Sequence, residues 1–207
     1  MRRAMLPIAA AALAVQSGAA LAGWKIMPKA QPVAVAKSAM TVTPASDWNR
    51  WSERPSKRGE TWTLDGVALN ELSFFGGIAQ GEAIYRERNK KDEPLPKFSR
   101  TMLAPDIVQA VEGSHRILLR TSLFAVDTIE PAALGGHAGV RFNYRYTVQD
   151  EEVRRKGEAR AAVVGGKLYL ITFAAPEIHY FDAGMAAALA IMDSAVIPAG
   201  TSVEVTR

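Results

Sequence analysis

The sequence has no cysteine among its 207 residues. That absence excludes disulfide staples, thiolate metal sites and a cysteine nucleophile, so stability has to come from a hydrophobic core. Histidine is nearly as scarce: His115, His137 and His179 stand alone, none three or four residues from another, so no metal-ligating spacing emerges. The Gly-x-Ser-x-Gly elbow is missing, and so is a glycine loop followed by Lys and Ser or Thr. Ser114 and His115 are adjacent, and adjacent residues on a helix diverge by about 100°. The sequence therefore implies no catalytic residue, no metal ligand and no cofactor. Charge of one sign is also lacking, with 25 basic residues against 21 acidic ones. Without a basic excess or a known motif, nucleic acid is not an expected partner.

What is present begins with a leader. Arg2 and Arg3 precede an apolar run from Met5 to Val15, and Ala20-Leu21-Ala22 has small-x-small form. This is the order of a secretory signal peptide, with cleavage expected after Ala22. Gln16, Ser17 and Gly18 interrupt the run, leaving it shorter than the roughly 20 residues that span a bilayer. The expectation is a periplasmic or secreted protein that is not an integral membrane protein after cleavage; a retained anchoring helix is the alternative. Leu21-Ala22-Gly23 begins like a lipobox, but Trp24 occupies the position of the lipidated cysteine, so lipidation is not expected there. Removal of two leader arginines leaves 23 basic residues facing 21 acids.

Residues 23–37, with Pro28, Pro32 and little periodicity, read as a flexible tether, and residues 38–207 as a single domain. Ala39 to Val42 suggests a short strand. Thr61 to Leu64 and Val67 to Leu69 flank Asp65-Gly66, a strong hairpin signal, with Leu72 to Phe75 extending the second strand and Gly76-Gly77 ending or bending it. Residues 78–102 lack periodicity and read as a long loop, a candidate binding segment. Pro105 and Asp106 open a helix running to about Arg120, with Ile107, Val111 and Leu118 on its apolar face. After Phe124 to Ile129 and Gly135-Gly136, the residues alternate: Val140, Phe142, Tyr144, Tyr146 and Val148 point one way, Arg141, Asn143, Arg145 and Thr147 the other. Val153 to Val164, the Gly165-Gly166 turn and Lys167 to Ala175 complete an antiparallel meander. Leu168 to Phe173 is nearly continuous in apolar character, as expected of a strand covered on both faces. Phe181, Met185, Ala188, Leu189, Met192 and Val196 define a last helix, and Val203 and Val205 suggest a terminal strand.

This order of elements resembles the PsbP-like exported domains, whose fold is similar to that of a Ran-binding nuclear-transport factor. The likeness rests on the Asp65-Gly66 hairpin, one mid-chain helix, the Val140 to Phe173 meander and the closing Phe181 to Val196 helix, about two thirds of the mature chain. It implies an α+β fold, an antiparallel β-sheet flanked by helices on both faces, and accessory or binding roles at membranes and complexes. It transfers no functional residue.

Candidate binding residues come from two places. If Asp150-Glu151 is a two-residue loop, Tyr146 faces Arg155 and Tyr144 faces Gly157, while Arg145 lies across from Lys156 and Arg141 across from Arg160. Like charges directly opposite are unfavourable. Either Glu158, diagonal to both pairs, offsets them, or an anionic ligand does; Arg154 extends the same basic set. The long loop adds Tyr85, Arg86, Lys90 and Lys91. Asp150, Glu151 and Glu152 belong to an exposed turn, and Trp48, Trp51 and Trp62 are expected to close one end of the core. The functional expectation is a non-catalytic periplasmic binding or accessory domain that meets an envelope protein or an anionic lipid or glycan. The alternatives are an envelope hydrolase whose polar groups converge only in three dimensions and an anionic-membrane surface protein.

Overall fold

A computed structural model describes residues 23–121 and 123–199. The expected signal peptide and the strand at Val203 and Val205 lie outside the described residues. In chain order the elements are β1 (Trp24–Met27), β2 (Val33–Ala34), β3 (Thr41–Val42), β4 (Trp48–Trp51), β5 (Gly59–Thr63), β6 (Glu71–Ile78), α1 (Ala104–Leu118), β7 (Phe124–Leu134), β8 (His137–Tyr146), β9 (Arg155–Val164), β10 (Lys167–Pro176) and α2 (Tyr180–Asp193). Eight strands form one antiparallel sheet in the order β1-β4-β5-β6-β10-β9-β8-β7, and β2 pairs with β3. With two helices added, the fold is α+β.

The meander follows the alternation in the sequence. Val140, Phe142, Tyr144 and Tyr146 are buried, while Arg141, Asn143 and Arg145 are half-buried or exposed. Gly135-Gly136 and Gly165-Gly166 make tight two-residue connections, all four glycines at positive φ, where other residues are strained. Every residue of β10 after Lys167 is buried, as its apolar run requires. Two separate core clusters meet the sheet. Leu72, Phe74, Ile171 and Phe173 pack with Phe181, Ala188, Ile191 and Met192 of α2. Phe75, Leu168, Leu170, Phe142 and Tyr144 pack with Ile107, Val108 and Val111 of α1. Trp48 and Trp62 are fully buried in the first cluster, as expected of core-closing rings, whereas Trp51 is only half-buried.

Three expectations need correction, and the bend at Gly76-Gly77 takes a particular form. The segment read as a flexible tether carries β1, which pairs with β4, and it buries Val35 and Ala36 completely. Its lack of periodicity hid an edge strand and an irregular plug, held by the Ala36 N–H donating to buried Glu60. The Asp65-Gly66 hairpin is a longer connection, residues 64–70, and Val67 to Leu69 is not a strand. Asn70 explains why: its Oδ1 accepts from the Thr63 hydroxyl and the Leu64 N–H, and its Nδ2 donates to Asp65, so a side chain closes the turn. Strand β6 continues through Gly76-Gly77 to Ile78 with an irregular register against β10 at that point, in keeping with the bend the sequence allowed, and a Cβ at Gly76 would lie 2.2 Å from Ser38 Oγ of the plug. Finally, β8 and β9 are joined by residues 147–154 rather than by two residues, although the register is the expected one, with Arg141 opposite Arg160 and Arg145 opposite Lys156.

The loop between β6 and α1 has no helix or regular strand, as expected, but it is anchored. Ile84, Leu95 and Phe98 are buried, and an isolated bridge joins Ala83 to Lys97. Its buried residues fold it over the α1 side of the sheet, where it makes one wall of two depressions.

Candidate functional site

The first depression is a groove of about 590 Å³ between the β4–β5 connection and the long loop. Its lining contains seven cationic side chains, Lys37, Arg54, Lys57, Arg58, Arg86, Lys90 and Lys97, against two acids, Glu82 and Glu87. Both acids are committed. The Ala79 N–H and then the Arg58 guanidinium hold the Glu82 carboxyl below its ordinary range, and the Lys97 ammonium does the same for Glu87. Arg54 donates to the Gly59 carbonyl and lies 4.0 Å from Glu60. Lys37, Lys57, Arg86 and Lys90 have no carboxylate within 4.0 Å among the described residues. Ser56, also in the lining, has a buried hydroxyl with no hydrogen-bond partner among the described residues.

The second depression, a cleft of about 680 Å³, shares Arg54, Tyr85 and Arg86 with the groove and opens on the other side of them. It is lined by Leu118 of the last turn of α1, by His115, whose ring meets that of Tyr146 of β8, and by Glu71 and Ser73 from the start of β6. Burial lowers the His115 imidazole to about 4. Its Nδ1 is 2.9 Å from the Val111 carbonyl, which can only accept, so Nδ1 carries the proton and Nε2 is left as an acceptor. Burial raises the Glu71 carboxyl, opposed by the Arg155 charge. Burial likewise raises the Tyr85 and Tyr146 phenols, which stay protonated. The rings of Tyr85, Phe124, Tyr144 and Tyr146 surround the imidazole at centroid distances of 5.1 to 5.6 Å. The Ser73 and Thr61 hydroxyls bond each other at 2.8 Å.

The structure divides the residues singled out in the sequence. Tyr85 and Arg86 line both depressions and Lys90 lines the groove, whereas Lys91 sits outside both in a turn of the loop. Arg141, Arg145, Lys156 and Arg160 are brought together across β8 and β9, and each has its own acid: Glu158 at 3.0 Å, Asp127 at 2.7 Å, Glu177 at 3.2 Å and Asp193 of α2. Four carboxylates rather than Glu158 alone therefore offset the opposed charges. Arg154 is exposed at a shallow depression with Leu123 and Tyr146. Sequence reasoning did not single out Lys37, Lys57, Arg58 or Lys97 for the groove, nor Glu71 and Arg155 for the cleft. They come from five separate segments, and no local pattern links them. Among the described residues no group of three or more His, Asp or Glu could hold a metal ion. No helix among them is long and apolar enough to cross a membrane.

No family model matches the chain, and no curated protein matches it. Among solved structures it is similar to the solution structure of the cyanobacterial PsbP of Synechocystis sp. PCC 6803, with a TM-score of 0.48 and 13% identity over 90% of this chain and 99% of that one. A protein from Bacteroides thetaiotaomicron gives a TM-score of 0.45 and 9% identity, covering 87% of this chain and 50% of that one. LpqN, involved in cell envelope biogenesis of Mycobacterium tuberculosis, gives 0.35 and 12% identity, covering 84% of this chain and 90% of its own. These likenesses concern the fold alone.

Proposed function

We propose that this is a non-catalytic accessory domain of the cell envelope that binds an anionic component through the groove beneath its long loop. The observation that carries this reading is the groove's charge: seven cations face two acids that are already paired, and four of the cations have no carboxylate within 4.0 Å among the described residues. Clefts lined by one sign of charge between low-dielectric walls concentrate counter-ions of the opposite sign. The sequence supports export through its leader, and the two separate core clusters, each with its own helix, support an arrangement with helices on opposite faces of the sheet. In that arrangement the loop stands at the α1 side, clear of α2.

The hydrolase alternative asks for a nucleophile held by a base. In the cleft no side-chain hydroxyl is hydrogen-bonded to His115 or Glu71 among the described residues, and the Ser73 and Thr61 hydroxyls are used on each other. The binding reading is tested by co-sedimentation with phosphatidylglycerol vesicles over a salt series, beside a pull-down on an acidic polysaccharide. Each basic residue near an anionic surface is worth about 1 kcal/mol, so replacing Lys37, Lys57 and Lys90 together by Ser predicts about a hundredfold weaker binding at low salt. Binding of the wild type to neither material, or equal binding by the triple variant, refutes the proposal.

A further inference from the structure

The cleft on the far side of Tyr85 differs from the groove in chemistry, and it holds polar groups that the fold leaves unanswered. Arg155, only 13% exposed along its side chain, has five N–H donors to place. One Nη2 contact goes to the Ala68 carbonyl at 3.0 Å, and its nearest acid is the half-exposed Glu151 at 3.7 Å. Its Nε is buried with no hydrogen-bond partner among the described residues. The Tyr85 hydroxyl in the same cleft is also buried and has no partner among the described residues. Glu71 lines the cleft as well, yet its carboxyl has no ion pair or hydrogen bond among the described residues. Part of the remaining lining is apolar or aromatic, with Trp51, Leu118, Leu119 and Val148 beside the rings of Tyr146 and His115, and part is charged, with Arg54, Arg86 and Arg88 against Glu53 and Glu151.

We infer that this cleft binds a small carboxylic acid with an aromatic or aliphatic body, its carboxylate received by Arg155 and the Tyr85 hydroxyl and its body lying against Trp51, Leu118 and Tyr146. A guanidinium and a phenol lining one cleft match a carboxylate, because charge-assisted hydrogen bonds are the strongest available to it. Buried donors without partners are costly, and a ligand that satisfies them recovers that cost. The apolar walls supply area for the body, and a volume of about 680 Å³ is in the range of small-molecule sites. Glu71 sets the condition. Burial raises its carboxyl against the Arg155 charge; where it is protonated it is a donor beside the incoming carboxylate, and where it is ionised it repels it.

The test uses the mature protein with benzoate, indole-3-acetate and octanoate, each beside its amide, in titrations followed by tryptophan fluorescence and amide NMR shifts. At least one acid is expected to saturate, with its largest shifts at Tyr85, His115 and Arg155, and to bind about tenfold or more tightly than its amide. Arg155→Gln should remove the acid's advantage. Glu71→Gln, which mimics the protonated carboxyl, should bind at least as tightly and flatten the dependence on pH. The Lys37, Lys57 and Lys90 triple variant should bind the acid unchanged, since none of these lysines lines the cleft, so failure of the groove and failure of the cleft are read separately. No saturation by any of the three acids, equal affinity for acid and amide, or loss of binding in Glu71→Gln overturns the inference. If Arg155→Gln does not fold, the acid-to-amide ratio still decides it.

Discussion

Glu60 is the carboxylate on which the irregular N-terminal plug depends, and its removal has a calculable cost. It is 3% exposed. Its Oε1 accepts from Trp62 Nε1 at 2.8 Å and its Oε2 from the Ala36 N–H at 3.1 Å, with Arg54 4.0 Å away. Glu60→Ala strands two donors in a dry environment, each costing about 1–3 kcal/mol, and opens a cavity besides. The expected loss is about 4 kcal/mol, a large share of the roughly 5–15 kcal/mol by which domains are stable. Glu60→Gln keeps the volume and one carbonyl oxygen, so one donor is still met while the amide nitrogen faces the other; about 2 kcal/mol is expected. Urea unfolding gives both values directly, provided the slope against denaturant stays constant. Hydrogen exchange at the Ala36 amide should accelerate in both variants. A Glu60→Ala protein within about 1 kcal/mol of wild type refutes the reasoning, as does a Gln variant less stable than the Ala one.

Two further perturbations address the aromatic side of the sheet. At Gly157 a Cβ would stand 2.1 Å from the Tyr144 ring, so Gly157→Ala must push the ring out of its packed position; a loss of about 1–3 kcal/mol in a thermal or urea melt is expected, and an unchanged midpoint counts against the close approach. For His115 the folded value of about 4 lies below the unfolded 6.5. Between those values the unfolded chain holds the proton and the folded protein does not, so stability rises with pH across the window. About 3 kcal/mol is lost as pH falls from 6.5 through 4. NMR of the imidazole should show it neutral at pH 5.5, and a midpoint near 6.5 would contradict its burial.

The second half of the fold was legible because each of its residues obeys a local rule. Alternation in β8, the paired glycines and the unbroken apolar run of β10 each fix an element without reference to anything distant, and even the register of Arg145 against Lys156 follows from them. The first half was less legible because its contacts are not local. Val35 and Ala36 are buried in the cluster of Trp48, Trp62 and Phe74, and the Ala36 N–H is held by a carboxylate 24 residues away. The Asp65-Gly66 dipeptide has a hairpin composition, but Asn70 competes for the same backbone and turns the chain its own way. A propensity that is correct at two residues yields when a side chain further on offers the turn more hydrogen bonds.

The same distinction separates the two basic regions. The cations of β8 and β9 were visible because strand pairing places them by a rule of two, yet the rule says nothing of the acids that answer them. Asp127 comes from β7, Glu177 from the residue after β10 and Asp193 from the end of α2. The groove has the opposite property. Its cations come from the plug, the β4–β5 connection and the long loop, so no spacing reveals them, but once assembled they outnumber the acids within reach. An unfavourable like-charge pair in a strand ladder is a local problem that evolution can solve with local acids, whereas a surplus built from separate loops persists only if water, salt or a ligand answers it. The Lys37, Lys57 and Lys90 substitutions should therefore weaken anion binding without loss of stability, whereas Arg145→Ser removes the bidentate partner of Asp127 and should leave that binding unaltered.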